Sequence, residues 1–97
     1  MIQSFTDYET EAVFNGRQTK AALKTFPADL WKTAQRKFDQ IDSVIMPEEL
    51  RIPPGNHIEA LVGDRAGQHS IRINRQYRIC FLRTPSGPAN VEIMDYH

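Results

Sequence analysis

A single cysteine, Cys80, excludes a disulfide within the chain and fits a reducing compartment such as the cytoplasm. It lies inside "YRICFLR", where it reads as a small strand or core residue. No apolar run approaches the roughly 20 residues that a membrane span needs. The opening "MIQSFTDYETE" has neither a basic leader nor an apolar core, so no signal peptide is expected. No Gly-rich phosphate loop is present, because "PPGN" reads as a turn. The three histidines and one cysteine fall in no recognised ligand spacing, so neither a metal site nor a cofactor is expected. His69, at a strand start, reads as structural. Net charge is also missing: 12 basic side chains balance 12 acidic ones, without the bulk basicity common in nucleic-acid binders.

What is there is a single globular composition, 40% hydrophobic and 25% charged over 97 residues, which suits one domain spanning 1–97. Its charge is unevenly placed. Residues 1–16 hold Asp7, Glu9 and Glu11 and no base. Residues 51–83 hold Arg51, Arg65, Arg72, Arg75, Arg78 and Arg83 against Glu59 and Asp64, a net charge of +4. Every base there is arginine, whose planar, permanently charged fork suits bidentate phosphate contacts. A localised basic stripe points to an anionic partner, although a solvated strand surface has the same composition.

The periodicities outline an α+β domain. "MIQSF" reads as a short strand. Thr6 and Glu9 match a capping box, opening a helix to about Asn15 with Gly16 as its stop. Residues 17–26 read as a loop, and Pro27 suits the first position of a second helix. Trp31, Ala34, Phe38, Ile41 and Ile45 recur at helical spacing on one face of that helix, which should end before Pro47. "MPEELRIPPGN" is a connection. The period then drops to two. "HSIRIN" sets Ile71 and Ile73 against Ser70, Arg72 and Asn74, and "YRICFLR" sets Tyr77, Ile79 and Phe81 against Arg78, Cys80 and Leu82. A hairpin is expected around Arg75–Gln76, a second turn at "TPSGP", and a last strand over "ANVEIMDYH" with Val91 and Ile93 on one face. The expected fold is a small antiparallel sheet with two N-terminal helices packed on one face.

"PPGNHIEALVGDRAGQHSIRINRQYRICF", followed by "VEIMDYH", resembles the HigB toxins of the RelE/ParE superfamily. The resemblance is strongest over Pro53–His97. Over residues 6–46 only the helical pattern agrees. It implies a RelE-like fold and metal-independent cleavage of messenger RNA in the ribosomal A site. It also implies a HigA-like helix-turn-helix antitoxin, through which alone the toxin would meet operator DNA.

Metal-free RNA cleavage needs a base for the 2′-OH, an acid for the leaving 5′ oxygen and a cation for the phosphoryl oxygens. The resemblance places a functional histidine at His97, and imidazole titrates near neutrality. Asp95 can orient that ring or raise its pKa, and Tyr96 can stack on a base or donate to a phosphate. The bland alternatives are a disordered terminal His97 and a Tyr96 packed at a sheet edge. If the last strand stays extended, Asp95 and His97 share the apolar parity of Val91 and Ile93, opposite Tyr96.

The family keeps an arginine at Arg78, the expected phosphate stabiliser; its alternative is an ion pair with Glu92. Arg65 would tie its own loop through Asp64 or contact RNA. Arg72 and Arg75, with Lys32, Arg36 and Lys37 on the helix, would track RNA or ribosomal phosphates. The chain departs from one studied branch twice: Glu59 stands where that branch has a catalytic histidine, and Asn74 where it has an arginine. Glu59 can serve as the base; His57, of the same parity, is the alternative, and Arg72 or Arg75 can replace the arginine. Competing readings are a ParE-like gyrase inhibitor, which would not need an imidazole there, and a weak antitoxin-binding relic.

Overall fold

The computed structural model describes residues 1–95, leaving Tyr96 and His97 outside the described residues. Three helices precede a four-stranded antiparallel sheet: α1 (Tyr8–Asn15), α2 (Lys20–Thr25), α3 (Ala28–Ser43), β1 (Glu59–Ala60), β2 (Gln68–Arg72), β3 (Tyr77–Thr84) and β4 (Gly87–Asp95). The strands pair in sequence order, β1-β2-β3-β4. Short 3₁₀ turns at Pro47–Arg51 and Pro54–Asn56 break up the proline-rich connection, because proline supplies a helical φ but cannot continue a helix, and a third, Gly63–Arg65, lies between β1 and β2.

The cap of α1 is Asp7 rather than Thr6. The Asp7 carboxylate accepts from the Thr10 amide at 3.0 Å, and the Thr6 hydroxyl donates to Asp7 rather than capping the helix. Gly16 ends the helix as expected, in the left-handed conformation at φ 70°. Residues 17–26 are not all loop. Thr19 caps α2, and Ala22 and Phe26 are buried in the core. Six residues are too few to hold a helix in water, so α2 exists because the core takes its apolar side. Pro27 is the cap of α3 rather than its first residue.

α3 buries Leu30, Trp31, Ala34, Phe38 and Ile41. Ile45 breaks the expected stripe: it lies beyond the end of α3 and is 86% exposed. Facing α3, Ile71, Ile73, Tyr77, Ile79, Phe81, Val91 and Ile93 complete one core. The β2–β3 turn is built by Asn74, whose side-chain oxygen accepts from the amides of Gln76 and Tyr77 at 2.9 and 2.8 Å.

Residues 1–6 run beside β4 without forming a full strand. Gln3 donates to Pro88, Val91 to Ser4, and Thr6 to Val91 at 3.1 Å or less, with Phe5 and Val91 making one parallel bridge. Further along, the Ile93 amide donates to Thr10 Oγ1 at 3.1 Å. The outer edge of β4 is thus covered, as an otherwise templating sheet edge must be. Among the described residues no helix is long and apolar enough to cross a membrane.

Candidate functional site

Helices cover one side of the sheet, so alternation along each strand sends every second residue to the other side. Cross-strand register orders that second face in rows. Glu59, Ser70, Cys80 and Glu92 form one row; Arg72, Arg78 and Met94 form the next, toward the β2–β3 turn.

Arg78 is the most enclosed cation of this face, 7% exposed. A buried guanidinium is tolerable only with its donors satisfied. Its Nε donates to Ser70 Oγ at 2.8 Å, and its Nη2 donates to the carbonyls of Ser70 (3.3 Å) and His57. Arg72 sits directly opposite it on β2 and turns its Nε to the Asn74 carbonyl at 3.1 Å, so two guanidinium-bearing residues face each other across the ladder.

Arg65 does not use Asp64. It donates to Gln68 at 3.0 Å and to Glu92 at 3.4 Å. Glu92, the alternative partner considered for Arg78, thus pairs with Arg65. Between these groups Cys80 is fully buried, its sulfur 3.3 Å from that of Met94. Burial pushes the Cys80 thiol up; Arg65 and Arg78 oppose the shift and Glu92 adds to it. A thiol held protonated is a poor nucleophile, which leaves Cys80 a packing role.

Glu59 is exposed and lies across from Ser70, one strand away from the residue that anchors Arg78. His57 does not share its strand parity: it follows a 3₁₀ turn in the left-handed conformation, φ 44°, ahead of β1. Asp95 is exposed at the described end of β4, opposite Tyr77, and accepts from Gln76 Nε2 at 3.1 Å. Its register puts it with Ile93 on the helix side of the sheet, as parity indicated, and therefore not on the face of Arg78. His97 and Tyr96 lie outside the described residues.

The other basic candidates divide. Arg75 is exposed in the β2–β3 turn, and Lys32 and Arg36 are exposed on α3 in the opposite layer from Arg78. Lys37 is half-buried: its Nζ donates to Asn56 Oδ1 at 2.6 Å, and burial, with Arg36 beside it, lowers its pKa. Ser70, Gln68 and Asn56 were missed by pattern reading. A small polar residue at an alternating strand position, or in a turn, carries no local sign that it will be buried against a cation.

His69 stacks on Phe81 with ring centroids 6.0 Å apart, its Nδ1 buried without a partner among the described residues. It lines a cleft of about 240 Å³ with Pro47, Glu48, Arg51, Ile58 and Ala60; a larger groove, about 610 Å³, runs between α1 and α2. Neither opens on the arginine row. No group of three or more His, Cys, Asp or Glu side chains converges among the described residues.

The family described as "RelE-like toxin of type II toxin-antitoxin system HigB" matches residues 3–97. The chain is 40% identical over 58 residues to Toxin HigB-1 of Vibrio cholerae, 60% of this chain and 61% of that one. It is 40% identical over 55 residues to an uncharacterised protein of Haemophilus influenzae, 57% of this chain and 54% of the other. The matched stretches thus span little more than half of these curated relatives. The fold is similar to a YoeB/ParE toxin from Agrobacterium tumefaciens, with a TM-score of 0.53 at 14% identity over 96% of this chain and 93% of that one.

Proposed function

The chain belongs to the HigB-like toxins of type II toxin–antitoxin systems, and from that premise we propose that it is a ribosome-dependent endoribonuclease, neutralised by a HigA-like helix-turn-helix antitoxin. It would act in the cytoplasm, on messenger RNA in the ribosomal A site, without a metal. The observation that carries this reading is the Arg72–Arg78 row, with Arg78 enclosed and held by Ser70 and His57. A preorganised guanidinium aimed at developing phosphoryl charge is worth most where water is excluded.

In this reaction the 2′ oxygen attacks the adjacent phosphorus and the bond to the 5′ oxygen breaks. The products are a cyclic phosphate and a free 5′-OH. Arg78 stabilises charge on the non-bridging oxygens. Glu59, one strand from the anchor of Arg78, takes the 2′ proton, and His97 returns a proton to the leaving oxygen. Tyr96 stacks on a base. Arg65, Arg72 and Arg75 hold flanking phosphates. Asp95 acts at a distance, through the hairpin that Gln76 belongs to, because its register turns it away from Arg78.

The test is primer extension on transcripts after brief induction of the toxin. Cuts within codons are expected for wild type and are expected to vanish in His97→Gln. Intact transcripts with loss of DNA supercoiling would instead support a gyrase inhibitor. Intact transcripts, unimpaired growth and tight antitoxin binding would mark a relic.

A further inference from the structure

The connection between α3 and the sheet is held in an unusual way. From Arg51 to Gly55 every residue is exposed, and so is His57, yet Asn56 between them is fully buried. A surface loop with so little apolar cover has few means of holding one conformation. Asn56 supplies one: its Oδ1 accepts from Lys37 Nζ at 2.6 Å, and its Nδ2 donates to Gln40 Oε1 at 2.8 Å and to the Leu50 carbonyl at 3.0 Å. Its own amide donates to the Pro53 carbonyl at 3.0 Å. All side-chain donors of the amide are used, and the bond from Lys37 is charge-assisted and short.

The next residue is His57, whose backbone lies at φ 44° and whose carbonyl accepts from Arg78 Nη2. Lys37 and Gln40 are on α3, on the helix side of the sheet; Arg78 is on the other. Asn56 therefore links the two layers through a single peptide unit.

We propose that Asn56 is a positioning residue for the arginine site: clamped by Lys37 and Gln40, it sets the His57 carbonyl that directs the Arg78 guanidinium toward the scissile phosphate. The second half of that statement rests on the endoribonuclease reading. Lys37 is then an internal strut of the site rather than a phosphate contact. Ser70 keeps its own bonds to Arg78, so loss of Asn56 loosens one end of the guanidinium without releasing it.

The test is a double-mutant cycle of Asn56→Ala and Arg78→Ala, read by messenger-RNA cleavage on programmed ribosomes and by the Arg78 Nε–H resonance of the free toxin. Misplacing a reacting group by about 1 Å can cost on the order of a hundredfold. With the Ser70 bonds kept, Asn56→Ala is expected to lower kcat about tenfold and leave KM within about twofold. In the Arg78→Ala background the same change is expected to have less than about a twofold effect. The Arg78 Nε–H resonance, still held by Ser70 Oγ, is expected to shift in Asn56→Ala as the Nη2 end of the same guanidinium moves. If that variant does not fold, Lys37→Met, which removes one half-buried charge, is expected to show the same pattern at smaller size, with Lys37→Arg restoring part of it. An equal fall in rate with and without Arg78, or an unchanged Arg78 resonance in a folded variant, overturns the proposal. If wild type cuts no RNA, the endoribonuclease reading fails, while the resonance still decides whether Asn56 places the guanidinium.

Discussion

The two faces of the sheet are both partly buried, but they are held by different forces. Toward the helices, Ile71, Ile79, Phe81, Val91 and Ile93 pack on α3 and its neighbours and need no specific partner. On the other face, Ser70, Arg78 and Cys80 are as well shielded from water, yet two of these three are polar and joined by a 2.8 Å hydrogen bond. Apolar burial is non-directional and tolerates repacking, whereas a buried cation depends on particular acceptors at particular distances. The first face makes the domain stable. The second makes a site, and its order depends on the scaffold behind it.

If that division is right, the largest stability loss comes from the apolar face. Phe81→Ala is expected to cost about 3–5 kcal/mol, the range for truncating a buried aromatic. Urea unfolding measures it, and whatever protein remains folded at low temperature should retain its cleavage sites. The largest loss of activity comes from the other side. Arg78→Lys keeps the charge and removes the fork, and is expected to cut messenger-RNA cleavage on the order of a hundredfold, with a stability loss smaller than that of Phe81→Ala. A stability loss there as large as that of Phe81→Ala would blur the comparison.

Ser70→Ala comes next. It takes away the acceptor of Arg78 Nε and is expected to cost about 1.5–3 kcal/mol, the worth of a hydrogen bond to a charged group. Denaturant melts of the single variant measure it. Smaller still is the Arg65–Glu92 pair, 3.4 Å long with both side chains about one-third exposed; a double-mutant cycle should return about 0–1 kcal/mol. The last expectation is an absence of reaction. With its pKa raised chiefly by burial, Cys80 should stay unlabelled by iodoacetamide near neutral pH until urea unfolds the chain. Rapid labelling of native protein would mean that this face opens.

Much of the fold was legible. The change from helical to alternating period placed α3, the hairpin and β4, and Gly16 marked the end of α1. The misses have identifiable causes. α2 is too short to signal itself and is held by contacts of Ala22 and Phe26 in the core. Ile45 continues the helical stripe in sequence but falls after α3 has ended, so it meets solvent. Asp7 displaced Thr6 as the cap because its carboxylate accepts from both the amide and the hydroxyl of Thr10. Of the site, Arg78 was singled out by resemblance and is the cation that the fold encloses. The partner of Glu92 and the surroundings of Lys37 were not readable in the same way.

Local chemistry, then, was written in the order of the residues: strand parity, turn positions, and the sides to which Arg78 and Asp95 must point. These follow from repeat geometry of the backbone, which each segment carries by itself. Tertiary structure alone decided that Ser70 and His57 would hold Arg78, that Arg65 would take Glu92, and that Asn56 would be buried against Lys37 and Gln40. A buried polar group must find a partner, but which partner stands within 3 Å depends on how distant segments register and pack.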